Sequence, residues 1–153
     1  MSALSQRISE EMKAAFLGGD RFRGDILRNL KAAILSEEVA KLKRDTGLSD
    51  EEIETVIARE VKRRVESIRL FRENDREDLA EPEEKEMAVL EEFLPEKMTE
   101  EELTKVVKAK IEELSASDPS DMGRVIGATK QVVGNSADGA LLASIVKNLL
   151  QNK

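Results

Sequence analysis

Apolar residues recur along this chain at intervals of three and four with charged residues between them, the spacing of amphipathic helices. Leu4, Ile8, Met12, Ala15 and Phe16 predict a first helix from about Ser2 to Leu17, stopped by Gly18-Gly19. Asp20 can cap a second helix on Phe22, Ile26, Leu27, Leu30, Ile34 and Leu35, continued by Val39 and Leu42 to about Thr46 and ended by Gly47. Gly24 lies in its first turn and costs about 1 kcal/mol relative to Ala in a helix. Ser49-Asp50-Glu51-Glu52 has the form of a capping box, opening a third helix to about Asn74 on Ile53, Val56, Ile57, Val61, Val65, Ile68 and Phe71. Met87, Val89, Leu90 and Phe93 form the face of a fourth, with a break or fresh start expected near Glu81, because Pro82 lacks a donor.

Leu94-Pro95 closes this block. Thr99-Glu100-Glu101-Glu102 suggests a second capping box, ahead of a helix on Leu103, Val106, Val107, Ile111 and Leu114. After a loop through Pro119, Asp121 can cap a helix on Met122, Val125, Ile126, Val132 and Val133. Asp138 can cap the last, on Leu141, Leu142, Ile145, Val146, Leu149 and Leu150. The prediction is an all-α protein: a four-helix bundle over residues 1–95, then a smaller three-helix bundle over residues 96–153. Short loops favour antiparallel neighbours in both.

Composition narrows the chemistry. Of 153 residues, 40% are hydrophobic and 37% charged; the aromatic share is 3%, all Phe, so the core must be aliphatic. With no Cys and no His, disulfides, thiolate or imidazole zinc sites and Ser-His-Asp or Cys-His catalysis are excluded. The longest apolar run, Ala140 to Val146, ends at Lys147, well short of the roughly 20 residues a membrane span requires, so a cytoplasmic protein is expected. Net charge is −7; residues 1–97 hold 18 Lys/Arg against 24 Asp/Glu, and residues 98–153 hold 7 against 8. Such a field repels polyphosphate, so a nucleic-acid contact would need a local basic patch.

Several segments form an ordered series. They are Leu27-Arg28-Asn29-Leu30-Lys31-Ala32-Ala33-Ile34, Lys62-Arg63-Arg64 with Ser67-Ile68 and Phe71, Arg76-Glu77-Asp78-Leu79, and Phe93-Leu94-Pro95. Asp121-Met122-Gly123-Arg124-Val125-Ile126-Gly127 and Ala137-Asp138-Gly139 complete it. In order and spacing the series resembles the GatB/YqeY family, in particular its stand-alone YqeY-like members. The resemblance implies a four-helix bundle followed by a three-helix bundle. It also implies a relationship to the C-terminal tail of GatB in the tRNA-dependent amidotransferase, which contacts tRNA while catalysis occurs elsewhere. The stand-alone proteins share the family label of carbon–nitrogen ligase with glutamine as amide donor. In one place the chain departs from the pattern: Gly134-Asn135-Ser136 stands where family members commonly carry Lys-Gly-Arg, so two cations are missing beside the last helix.

The candidate contacts come from helical geometry and from the segments that carry the resemblance. Lys62, Arg69, Arg72 and Arg76 fall on one flank of the third helix, either as a phosphate-binding stripe or as a solvated face paired with Glu66 and Glu73. Arg64 lies within the apolar arc, where a guanidinium must snorkel or find a carboxylate. It is expected to clamp helices of the first bundle, or else to face a ligand between the bundles. Gly123 and Gly127, four apart, suggest a close helix–helix approach or a surface for backbone contact with RNA. Arg124, Lys130, Asp138 and Gly139 complete the candidate set. Acidic runs at helix starts complement the dipole, and no metal site is expected from them.

Taken with the residues, the resemblance implies an accessory or adaptor module without catalytic residues or cofactor, binding tRNA, aminoacyl-tRNA or the amidation machinery, and neither DNA nor a membrane. A helical protein–protein interaction module with no RNA ligand is the alternative, favoured by the acidic charge and by the lack of Trp and Tyr for base stacking.

Overall fold

The computed structural model describes Ser2 through Asn152. Among these residues there are seven α-helices, two short 3₁₀ turns and no strand. The chain divides into two compact units, the first ending at Leu94 and the second starting at Pro95.

The first unit holds α1 (Ala3–Leu17), α2 (Arg21–Ala40), α3 (Asp50–Glu73) and α4 (Glu77–Glu91). Each start has a local cause. Ser2 and Asp20 accept the Ser5 and Arg23 N–H groups. Ser49 and Glu52 form a reciprocal capping box, each bond 3.1 Å. α1 packs on α2 and α3 on α4, and α2 also meets α3 and α4. Ile8, Leu27, Ile53, Ile57 and Leu90 are the fully buried centre, each contributing about 1.5–3 kcal/mol by leaving water. Gly24 is helical and buried because the Phe16 ring lies where its Cβ would be, 2.6 Å away.

Three expectations for this unit are corrected. α2 ends at Ala40, not near Thr46. Leu42 takes a left-handed φ of 57°, and the Lys43 N–H closes back on the Glu38 carbonyl at 2.7 Å. This is a Schellman ending without the usual glycine, and it frees the chain to bring Leu48 into the core. α4 runs unbroken through Pro82. The proline sits in its second turn, and the Leu79 and Ala80 N–H groups still reach the Arg76 carbonyl at 3.0 and 3.1 Å. The apolar positions Phe16, Phe22, Leu35, Val39, Leu42 and Val65 are exposed, not core. The buried arc of each helix is narrower than its apolar pattern.

The second unit holds α5 (Glu100–Glu113), α6 (Met122–Val133) and α7 (Gly139–Gln151), with 3₁₀ turns at Pro119–Asp121 and Gly134–Ser136. Leu103, Val107, Val125, Leu142 and Val146 are its fully buried centre. Thr129 is buried there too, its hydroxyl donating to the Val125 carbonyl at 2.8 Å. Thr99 caps α5 through the Glu102 N–H at 3.1 Å, without the return bond of a full box. Asp121 occupies the N-cap position of α6 but makes no cap bond, because its carboxylate accepts the Ser117 N–H instead. Val132 is exposed. No helix among the described residues is long and apolar enough to cross a membrane.

Candidate functional site

Three of the four cations predicted as a stripe on α3, Arg69, Arg72 and Arg76, are engaged by carboxylates. Arg69 donates to Glu66 (2.5 Å) and Glu73 (2.6 Å), and Arg72 donates to Glu77 (3.0 Å) and Glu84. Arg76 lies beyond the end of α3, at the N-cap of α4, because α3 stops at Glu73 and the chain reverses through Asp75 at φ 55°. It pairs with Asp78 at 3.0 Å. Hydrogen bonds to Glu66 and then to Glu73 raise the Arg69 pKa, and those that Arg72 donates to Glu77 and Glu84 raise that of Arg72. Glu66, Glu77 and Asp78 are in turn held below the usual carboxylate range, by Arg69, Arg72 and Arg76 respectively. Lys62 is exposed and has no ion-pair partner among the described residues. This face is a charge-compensated lattice, not an open cationic surface.

Arg64 is half-buried and joins two helices. Its Nε lies 3.2 Å from the Glu86 carboxylate on α4, and its Nη1 lies 3.2 Å from the Glu60 carboxylate and 3.2 Å from the Glu60 carbonyl. Burial pushes the Glu60 pKa up, but hydrogen bonds from Arg63 and Arg64 outweigh it, so the net shift is downward.

A second cluster in this unit was not singled out by sequence. Arg23 bridges Glu11 (2.8 Å) and Glu92 (2.6 Å), and Arg7 stacks over the Phe93 ring at 4.6 Å. The Glu92 hydrogen bond leads in raising the Arg23 pKa. Only the Arg7–Glu11 spacing of four was visible as a local signal; the partners on Glu92 and Phe93 are remote in sequence.

In the second unit the picture reverses. Gly123 and Gly127 are exposed, and a Cβ at either would meet nothing within 4 Å. The expectation of a close helix–helix approach is therefore corrected: the packed face of α6 carries Val125 and Thr129, and the glycines point away from it. At 100° per residue, Lys130, Gln131 and Arg124 share the open glycine face. Lys130 is exposed without an ion-pair partner among the described residues, whereas Arg124 pairs with Asp121 at 3.1 Å.

At α7, the Asp138 carboxylate accepts the Ala140 N–H (2.9 Å) and the Leu141 N–H (3.1 Å). The Leu141 N–H leads in lowering the Asp138 pKa; the Ala140 N–H and the charge of Lys97 also lower it, against a smaller opposing effect of burial. The helix end is thus self-capped, and an anion there would have to compete with Asp138. Lys97 was missed by sequence. It reaches this place because the Met98 N–H bonds the Ser136 carbonyl at 2.7 Å, tying the start of the unit to the turn before α7. It supplies one cation near the segment where the basic pair of the resembling family is absent.

Among the described residues no group of three or more acidic side chains is placed to hold a metal ion. No buried side-chain nitrogen or oxygen there lacks a hydrogen-bond partner.

Comparison with known proteins gives two findings. The family described as Yqey-like protein matches residues 5–150. The "Altered inheritance of mitochondria protein 41, mitochondrial" of Kluyveromyces lactis is 31% identical over 116 residues, covering 74% of this chain. The chain spans 61% of that relative's length. The family match takes in both helical units, with their ordered motifs from the Leu27 segment to Asp138-Gly139, and on that ground the chain belongs to the YqeY-like family.

Proposed function

We propose that the chain is a docking module for tRNA-dependent amidation, with a four-helix bundle as its first part and a three-helix bundle as its second. In this reading it is related to the C-terminal tail of GatB in the amidotransferase, and any amide transfer it assists takes place on a partner's side chains. A cytoplasmic setting belongs to the same reading; the mitochondrial name is that of the relative.

One observation carries the proposal: the open glycine face of α6. Glycine in a helix interior costs about 1 kcal/mol relative to Ala, and neither Gly123 nor Gly127 is needed for internal packing. A helix without Cβ atoms there lets a sugar–phosphate backbone come close, with Lys130, Gln131 and Arg124 beside it and Lys97 near the start of α7. The first unit is the poorer candidate, since phosphates on α3 would have to displace carboxylates already bonded to Arg69, Arg72 and Arg76.

The test is a salt titration of the full chain with labelled tRNA. Binding should weaken steeply with salt; Lys130→Glu should lower the log–log slope by about one or more, and Gly127→Leu should block association. No association even at low ionic strength would reject the reading.

The alternative, a protein-binding module without RNA, is favoured by the compensated arginines of α3. Capture from extract with and without RNase separates the two. Partners lost with RNase indicate RNA, and partners retained indicate protein.

A further inference from the structure

α2 is apolar on two sides. Ile26, Leu27, Leu30 and Ile34 face the core. Ala32, Leu35 and Val39 lie roughly opposite, at the three-then-four spacing of a helix-pairing seam, with Leu35 46% and Val39 53% exposed. An ordinary surface helix is polar on that side. Beside the seam a groove of about 340 Å³ opens between α1 and α2, and the small side chains Ser5 and Ser9 of α1 form part of its floor.

Two charged residues line the same groove, Lys31 and Glu38. Neither has an ion-pair partner among the described residues, in a unit where most arginines are paired. They are opposite in sign and seven residues apart, about 10 Å along the helix, too far to satisfy each other. Reversed against a copy of itself, the same edge becomes complementary. A two-fold axis between Leu35 and Ser36 sets Val39 of each copy against Ala32 of the other and brings the two Leu35 side chains together. It also sets Lys31 of each copy toward Glu38 of the other. A two-fold interface requires this reciprocity, and the antiparallel register that would overlap Leu42 instead brings the two Glu38 carboxylates together.

We infer that α2 pairs with α2 of a second copy, antiparallel across a two-fold axis, through Ala32, Leu35 and Val39 flanked by reciprocal Lys31–Glu38 ion pairs. The smooth seam and the small serines let the helices approach, and the charges select the register.

Sedimentation equilibrium of the full chain over a range of concentrations tests this. The unaltered protein should associate to a dimer. Leu35→Glu should leave it monomeric with an unchanged helical spectrum. Lys31→Glu, which opposes like charges at both ends, should raise the dimer Kd about tenfold or more. The double change Lys31→Glu with Glu38→Lys should restore Kd to within about threefold. A chain that stays monomeric at several hundred micromolar overturns the inference, as would capture of a different protein by this seam in place of the copy. So would a charge reversal without effect, or a double variant no better than the single one.

Discussion

The two helical units solve the same folding problem with different surfaces. In the first, cations are spent internally: Arg7, Arg23, Arg59, Arg64, Arg69 and Arg72 each bond carboxylates of neighbouring turns or helices. In the second, the ion pairs among the described residues are Lys110–Glu113 and Arg124–Asp121, leaving Lys97, Lys105, Lys108, Lys130 and Lys147 outside such pairs. Dense pairing occupies most arginines of the first unit, and the cations outside ion pairs there among the described residues, Lys13, Arg21, Lys31, Arg44 and Lys62, sit in the more acidic part of the chain. The sparse pairing of the second unit leaves its lysines available, beside a helix face stripped of side chains. On the proposed reading, ligand binding falls to the second unit and cross-linking to the first.

The largest effect should come from the cores. Leu27 and Leu142 are both fully buried, so Leu27→Ala and Leu142→Ala should each cost about 2–5 kcal/mol. The same loss consumes a greater share of stability in the smaller unit. Hydrogen exchange should therefore show α5–α7 opening more completely in the Leu142 variant than α1–α4 in the Leu27 variant. Full protection of α5–α7 after Leu142→Ala would break the comparison.

Next comes Arg64→Met. It fills the same space but strands the Glu86 carboxylate and leaves Glu60 with Arg63 alone, and chemical denaturation should show a loss of about 1–3 kcal/mol. An unchanged midpoint would mean that the α3–α4 link is ornamental.

Glycines sharpen the contrast at smaller scale. Gly127→Ala points into open space and should stabilise by up to about 1 kcal/mol, a gain that marks the natural glycine as kept for something other than folding. At Gly24 the same substitution must push the Phe16 ring aside, so the propensity gain is cancelled and net stability falls or stays level. Equal thermal shifts for the two would sink the distinction.

Much of this was legible in the chain. Helix order, the Ser49–Glu52 box and the Asp20 and Asp138 caps follow from local signals that tertiary structure did not override. The end of α2 was hidden because Leu42 adopts a conformation that glycine normally marks. The continuity of α4 was hidden because a proline in the second turn and one at a true break look alike in sequence. At the candidate site, residue types were visible but pairing was not. The α3 cations showed as a stripe, while the carboxylates that occupy Arg72 come from Glu77 and Glu84, beyond the helix. Lys97 carried no motif, and only the backbone bond between Met98 and Ser136 brings it to α7. Gly123 and Gly127 had the spacing of a packing seam, and which side of α6 is buried is settled only by its neighbours.

The smallest expected effect concerns acid. Glu52 accepts from Lys43 Nζ at 2.9 and 3.0 Å and from the Ser49 N–H at 3.1 Å. The Lys43 hydrogen bond, followed by that from Ser49, lowers its pKa from 4.5 to about 2. The folded chain therefore binds this proton less readily than the unfolded one. Its stabilising contribution is complete above the unfolded value near 4.5 and is lost as pH falls toward 2. Asp138 is also lowered, but chiefly by backbone donors fixed within α7, so its contribution should resist salt. That of Glu52 leans on a half-exposed lysine and should weaken with salt. Glu52→Gln should therefore cost most at neutral pH and low salt, with the gap to the unaltered chain closing between pH 4.5 and 2. A gap that is constant across that range, or indifferent to 0.5 M salt (about a 4 Å screening length), would show that the cap is held by its backbone geometry alone and that charge pairing in the first unit matters less than its density suggests.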